Sequence, residues 1–160
     1  MLTSNTLSKA GSIIIGAIVL LCDQFSKLWA LKNISSHDVL SISPHLNLIL
    51  TFNPGVTFGL LHAHSTLHYI MLVLGACVLL CIVCSWWWKA ENILQRYSTS
   101  IIIFGAIGNL ADRIRFRAVV DFIDFYIADW HWYTFNLADS AIVLGVSLLF
   151  LDTFLNNKTH

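Results

Sequence analysis

Charge is the scarcest commodity in this chain. Only 11% of its 160 residues are Asp, Glu, Lys or Arg, against about 25% in an ordinary soluble domain. The formal net charge is zero, so no polyanion partner is indicated and nucleic-acid binding is set aside. Other signatures are missing too. His64 is followed by serine rather than by the glutamate of an HExxH site, and no neighbouring carboxylate completes a set with His62, His64 and His68. These histidines read as interfacial, and no metal is expected. There is no glycine-rich phosphate loop, and no histidine is placed by sequence to activate Ser140. Internal repeats of the kind many transporters carry are not evident.

What is abundant is apolar. The hydrophobic fraction is 57% and the mean hydropathy +0.73, which together point to an integral membrane protein in one domain, residues 1–160. Four runs are long enough to be spans at about 20 residues per bilayer core. They cover approximately 11–31, 68–85, 98–113 and 136–155. The first resembles a secretory signal peptide, but no small-x-small site follows it, and it contains Asp23, Gln24 and Lys27. Leu20-Leu21-Cys22 is not a lipobox, because the residues before Cys22 are not small. Cys77, Cys81 and Cys84 share one helical face. With Cys22 they read as buried small hydrophobes rather than disulfide or zinc ligands.

Between the first two spans, Val39 to Ile42 and Leu46 to Phe52 alternate loosely around Ser43-Pro44-His45, a hairpin signal. Asn53 to Leu61 carries Pro54, Gly55 and Gly59 among aromatics. It reads either as an interfacial loop or as a lid whose Asn53 bonds a peptide backbone. Trp86-Trp87-Trp88 ends the second span as an aromatic belt does, and Trp130, Trp132 and Tyr133 suit the same interface. The expected fold class is thus an all-α membrane protein of four transmembrane helices. A small extracytoplasmic β-hairpin cradle and a short lid are added to it. Lys/Arg counts do not orient it: Lys9, Lys89, Arg96 and Lys158 stand on one side, and Lys32, Arg113, Arg115 and Arg117 on the other.

The polar residues that do occur are concentrated. Five of the nine acidic residues fall between Ile101 and Ile142, and charges held between apolar segments need a reason. Asp23 and Lys27 are four apart and can pair on one face. They form either a structural ion pair with Lys27 reaching outward or part of a site. Asn109, Asp112 and Arg113 also share a face, and Gly105 and Gly108 permit close helix approach. Asp121 and Asp124 lie among β-branched and aromatic residues. Asn136 is a good N-cap for the last helix, leaving Asp139 at its positive end. Two neighbouring carboxyl groups that cannot both ionise suit hydrolysis of a peptide bond by a held water. Spacing alone does not choose Asp121 and Asp139 over Asp112 or Asp124. A proton-coupled carrier would use buried Asp and Arg as well.

Five motifs in order narrow the choice. They are Asp23-Gln24-Phe25-Ser26-Lys27, Asn53-Pro54-Gly55-Val56-Thr57-Phe58-Gly59, Gly108-Asn109-Leu110-Ala111-Asp112-Arg113, Val119-Val120-Asp121-Phe122 and Phe135-Asn136-Leu137-Ala138-Asp139-Ser140. Through them, nearly the whole chain resembles the lipoprotein signal peptidases (signal peptidase II, aspartic peptidase family A8) of the bacterial inner membrane. The resemblance implies an aspartic endopeptidase with Asp121 and Asp139 as its catalytic pair; Asp124 lies off the matching position. It implies supporting or substrate-contacting roles for Asn53, Gly55, Asn109, Arg113, Asn136, Asp23, Lys27 and Asp112. Thr57 departs from the family's more frequent alanine. The implied substrate is a prolipoprotein carrying a diacylglyceryl-cysteine, cut just before that cysteine. Both termini would be cytoplasmic, with the site toward the periplasm. Membrane lipid is the other partner. No cofactor is implied, and nothing demands more than a monomer.

Overall fold

The computed structural model describes residues 4–35, 37–55 and 66–156. Four helices form where the apolar runs lie: α1 (Ser4–Asn33), α2 (Thr66–Lys89), α3 (Ile93–Phe116) and α4 (Leu137–Asn156). None contains proline, so the backbone hydrogen-bond ladder runs unbroken. Three of the four, α1, α2 and α4, are long and apolar enough to cross a membrane. The third helix is long enough, at 24 residues, but polar: Arg96, Ser98, Thr99, Ser100, Asn109 and Asp112 are among its buried residues.

The packing is inverted relative to a soluble protein. α3 packs against the other three helices, and much of what it buries is polar. What α1, α2 and α4 present outward is apolar: Ile14, Leu79 and Phe150 are each more than half exposed, and α2 buries no residue at all. An exposed apolar surface on that scale is a surface made for lipid. The four cysteines are free, and Cys22, Cys81 and Cys84 are exposed on that outer surface rather than buried, which corrects the expectation. Apolar solvent outside the bundle satisfies a small thiol as well as a protein core does.

Close helix approach is set by small residues, as the spacing of Gly105 and Gly108 led us to expect. A Cβ on Gly105 would lie 3.0 Å from the Ala138 carbonyl oxygen, and one on Gly108 would lie 2.5 Å from Asp23 Oδ2. The first contact seats α4 on α3, the second seats α1 on α3.

The β part is larger than a hairpin. Strands β1 (Leu40–Ser43), β2 (Leu46–Asn53), β3 (Val119–Ile127) and β4 (Trp130–His131) form an antiparallel sheet in the order β1-β2-β3-β4. The hairpin β1–β2 is where the sequence predicts it. Strand β3 was not anticipated, so the all-α expectation is corrected to a helical bundle with a four-stranded sheet. From Val119 to Phe122 every residue is buried, and the period-two alternation that announces a half-exposed strand is missing. β3 pairs with β2 in a register that sets Thr51 opposite Asp121 and Asn47 opposite Asp124. Phe135 then bonds the other side of β3 at Phe122 and Ile123, at 2.9 to 3.1 Å, and so delivers the chain to α4.

Introducing Leu at Gly105 is expected to cost about 1–3 kcal/mol through overpacking against the α4 backbone. Leu at Gly75, where an added Cβ meets nothing within 4 Å, should be near neutral. Thermal midpoints of the two purified variants in detergent check this; equal midpoints would show that α3–α4 proximity is not limiting.

Candidate active site

The polar cluster is built outward from Lys27. Its ammonium lies 2.8 Å from Asp23 Oδ2 and 2.7 Å from Asp112 Oδ2, and all three residues are buried. The i, i+4 pair foreseen on α1 therefore exists, but Lys27 does not reach outward. A second carboxylate on α3 keeps it inside. A third acceptor, Asn109 Oδ1, lies 3.0 Å from Nζ, so the ammonium's three protons each have an oxygen. Asp23 Oδ1 also accepts from the Ala138 backbone N–H at 2.9 Å, and Asp112 Oδ2 from the Val120 N–H at 3.3 Å. Gln24 adds bonds to Asp23 and Asp112. It sits inside a recognised motif, yet nothing in its spacing singled it out.

Asn109 and Asn136 carry the network from there to two further carboxylates. Asn136 caps α4: its Oδ1 accepts from Asp139 N–H at 2.9 Å, and its own N–H donates to Asp139 Oδ2 at 3.3 Å. This reciprocal box needs a polar side chain at the cap and a carboxylate three residues on, both legible in Asn136-Leu137-Ala138-Asp139. Asn136 Nδ2 meanwhile donates to Asp121 Oδ1 at 2.6 Å. Asn109 Nδ2 donates to Asp139 Oδ1 at 2.8 Å. Asp121 and Asp139, on β3 and α4, are thus held by the same asparagine. Arg113 is half-buried, donates to the Asn109 carbonyl at 3.3 Å, and its charge acts on Asp139, Asp121 and Asp112.

Asn53 closes the site from β2. Its Nδ2 donates to Asp121 Oδ2 at 3.0 Å, while its Oδ1 accepts from Gly55 N–H at 2.9 Å. Both ends of the amide are engaged within the protein. Gly55 has φ +78°, a left-handed conformation that favours glycine. Beyond Gly55, the expected lid through Leu61 lies outside the described residues, as do His62 and His64.

Asp124 does not join this cluster. An odd offset along a strand sends it to the opposite sheet face from Asp121. There it is held by Asn47 Nδ2 at 3.2 Å and His131 Nδ1 at 2.8 Å. His131 was missed by sequence reasoning; only its place across a short hairpin, four residues past Ile127, could have suggested it.

Asp121 is the electrostatically unusual carboxyl. It is 2% exposed, and burial pushes its pKa up from the ordinary 3.8 to about 6. Asp139 adds to the rise, while the bonds from Asn53 and Asn136 and the Lys27 charge oppose it. A groove of about 550 Å³ opens beside Asp139, lined by Trp132, Phe135, Ser140, Val143, Leu144 and Ser147. It is mostly apolar and runs along the outer face of α4.

Two carboxyls bonded by one asparagine beside helices of membrane length, one with a raised pKa and the other at an apolar groove, point to an integral membrane enzyme. Residues 15–155 match the family described as Signal peptidase (SPase) II. The lipoprotein signal peptidase of Anaplasma phagocytophilum (strain HZ) is 39% identical over 148 residues, which is 92% of this chain and 94% of that protein. That of Salmonella schwarzengrund (strain CVM19633) is 40% identical over 145 residues, or 89% and 87%. A bacterial membrane enzyme solved by the in meso method at 2.3 Å superposes with a TM-score of 0.82 at 27% identity, over 94% of this chain and 91% of that one. The chain belongs to the signal peptidase II family and is a membrane peptidase.

Two predictions come from this geometry. Lys27→Met leaves Asp23 and Asp112 facing each other unpaired and should cost about 3–5 kcal/mol. A detergent-denaturation midpoint equal to wild type would refute the triad's structural weight. For Asp121, the folded carboxyl keeps its proton up to about pH 6, whereas the unfolded one releases it near 3.8. Stability therefore falls as pH rises between those values, and the fall is complete above the higher one. Thermal midpoints of wild type minus Asp121→Asn, followed against pH, should show that decline; a flat difference would contradict it.

Proposed function

We propose that this peptidase is an aspartic endopeptidase acting on diacylglyceryl-modified prolipoproteins, with Asp121 and Asp139 as its catalytic pair. The observation that carries the reading is Asn136, which bonds Asp121 through its side-chain amide and Asp139 through its backbone N–H and side-chain oxygen. One residue fixes both carboxyls relative to each other, as a held-water mechanism requires.

In this reading the pair works with one shared proton. Burial raises the proton affinity of Asp121, which keeps its proton up to about pH 6. Asp139 receives two N–H donors and the positive end of α4. Asp139 takes a proton from water as its oxygen attacks the scissile carbonyl carbon. Asp121 gives its proton to the carbonyl oxygen, producing a neutral gem-diol. Collapse returns a diol proton to Asp121, and Asp139 passes its proton to the departing amine nitrogen. Arg113 and the two asparagines hold the pair while its charge is redistributed.

The relatives' name, lipoprotein signal peptidase, supports the substrate class. The apolar groove at Asp139 supports lateral arrival of an acylated cysteine from lipid, cleaved just before that cysteine. Strand β1 leaves one edge of the sheet unpaired among the described residues, where an extended peptide could add a strand. In the bilayer, α3 is the fourth span: its polar face is sheltered by the other three helices. An even count puts both termini on one side, taken as the cytoplasmic face of the inner membrane. The sheet then lies on the periplasmic side.

The test is cleavage of a lipidated prolipoprotein, with its unlipidated form in parallel, by wild type, Asp121→Asn and Asp139→Asn. Each variant should lose roughly 10³-fold or more in turnover while remaining folded, and only the lipidated substrate should shorten. Retained turnover in either variant removes the pair assignment. Wild-type cleavage of both substrates alike would remove the lipid requirement.

A further inference from the structure

At the far end of α3 from the candidate site stands a second buried cation, Arg96, thirteen residues before Asn109 and so about 20 Å away along the helix. It is 6% exposed. Its position is electrostatically poor for a cation: α3 begins at Ile93 after the Asn92 cap, so Arg96 lies in the positive first turn. Lys27, equally buried, has two carboxylates. Arg96 has no carboxylate within 4 Å among the described residues. Its partners are neutral oxygens: Nη1 donates to the Asn5 backbone and side-chain oxygens, and Nη2 to the Ala90 carbonyl. Nε is buried with no acceptor.

The same guanidinium lines an open cavity of about 540 Å³, together with Asn5, Ser8, Glu91, Asn92 and Ile93. The surroundings have the composition of a membrane interface. Trp86 and Trp88 are exposed on the adjacent end of α2, and Lys9 sits 4.3 Å over the Trp88 ring. A guanidinium with no carboxylate within 4 Å among the described residues, in the first turn of a helix and beside an open cavity, is chemically matched to a phosphate. We propose that the Arg96 cavity binds an anionic phosphate group, from a phospholipid headgroup or from free phosphate. The site is independent of the peptidase reading, because it shares no residue with it.

The alternative is that Arg96 only bolts the start of α1 to the α2–α3 turn, and the experiment separates the two. Delipidated full-length protein in a neutral detergent is titrated with phosphatidylglycerol, or with inorganic phosphate. Bound lipid is read by native mass spectrometry, and the thermal midpoint is followed in both titrations. Ser8→Glu puts a carboxylate into the cavity wall without touching the Arg96 bonds. Glu91→Gln removes one. Affinity should fall roughly fivefold or more in Ser8→Glu and rise in Glu91→Gln, and be lost in Arg96→Gln if that variant folds. A charge-sensitive response to phosphatidylglycerol alone assigns the ligand to lipid; a response to inorganic phosphate assigns it to the free anion. Absence of both, or binding that is equal in wild type and Ser8→Glu, overturns the proposal.

Discussion

An ammonium buried between two carboxylates holds this protein's polar interior together. Each of the three ions would be costly alone in a low-dielectric interior, and removal of the ammonium leaves two carboxylates uncompensated. Lys27 comes from α1 and Asp112 from α3, while Asp23 also accepts the Ala138 N–H of α4 and Asp112 that of Val120 in β3. The triad carries one net negative charge. Its surplus is met by backbone donors, one of them in the first turn of α4, where the helix dipole favours an anion. Three helices and a strand are thereby fixed at one point by groups that cannot separate cheaply.

The candidate site is built on that point. Asn109 Oδ1 accepts from Lys27, and this orients its Nδ2 toward Asp139; Asn136 Nδ2 lies 3.2 Å from the same Asn109 oxygen. The orientation of both amides follows from the ammonium, because a cation forces the oxygen end of Asn109 toward itself. Asp121 and Asp139 are therefore positioned through a chain of bonds that starts at a structural ion cluster. Side chains on mobile loops would be less restricted than these. The bonds also make the two carboxyls unequal: Asp121 is enclosed by the sheet, while Asp139 faces a groove.

Much of this was legible in the residues, for reasons that also explain the failures. Helix positions followed from apolar length, and the α4 cap from Asn136 and its carboxylate three residues later. Those signals are local, and local signals survive in a sequence. Strand β3 was hidden because Val119 to Phe122 is buried on both faces, which erases alternation. Whether Lys27 turned outward or inward depended on Asp112, 85 positions away, and no helical spacing reports such a partner. The pairing of Asp124 with His131 depended on a hairpin whose first strand had not been recognised. The choice of Asp121 and Asp139 among the clustered acids came from ordered motifs; geometry then adds that these two, and not Asp124, share Asn136.

The polarity of α3 brings these observations together. Hydropathy measures what a helix offers to lipid, so it identifies α1, α2 and α4 and passes over α3. A helix enclosed by three others is freed from that requirement, and its composition can serve chemistry instead. In α3 the freedom is used at both ends: Asn109 and Asp112 at one, Arg96 at the other. Between them lie Ile102, Ile103 and Gly105, small or apolar residues buried against neighbouring helices. The polarity that sets α3 apart from the other three helices is thus what lets the bundle hold charge. A buried polar network in lipid needs a helix face that lipid does not touch, and the apolar exteriors of α1, α2 and α4 shelter that face of α3.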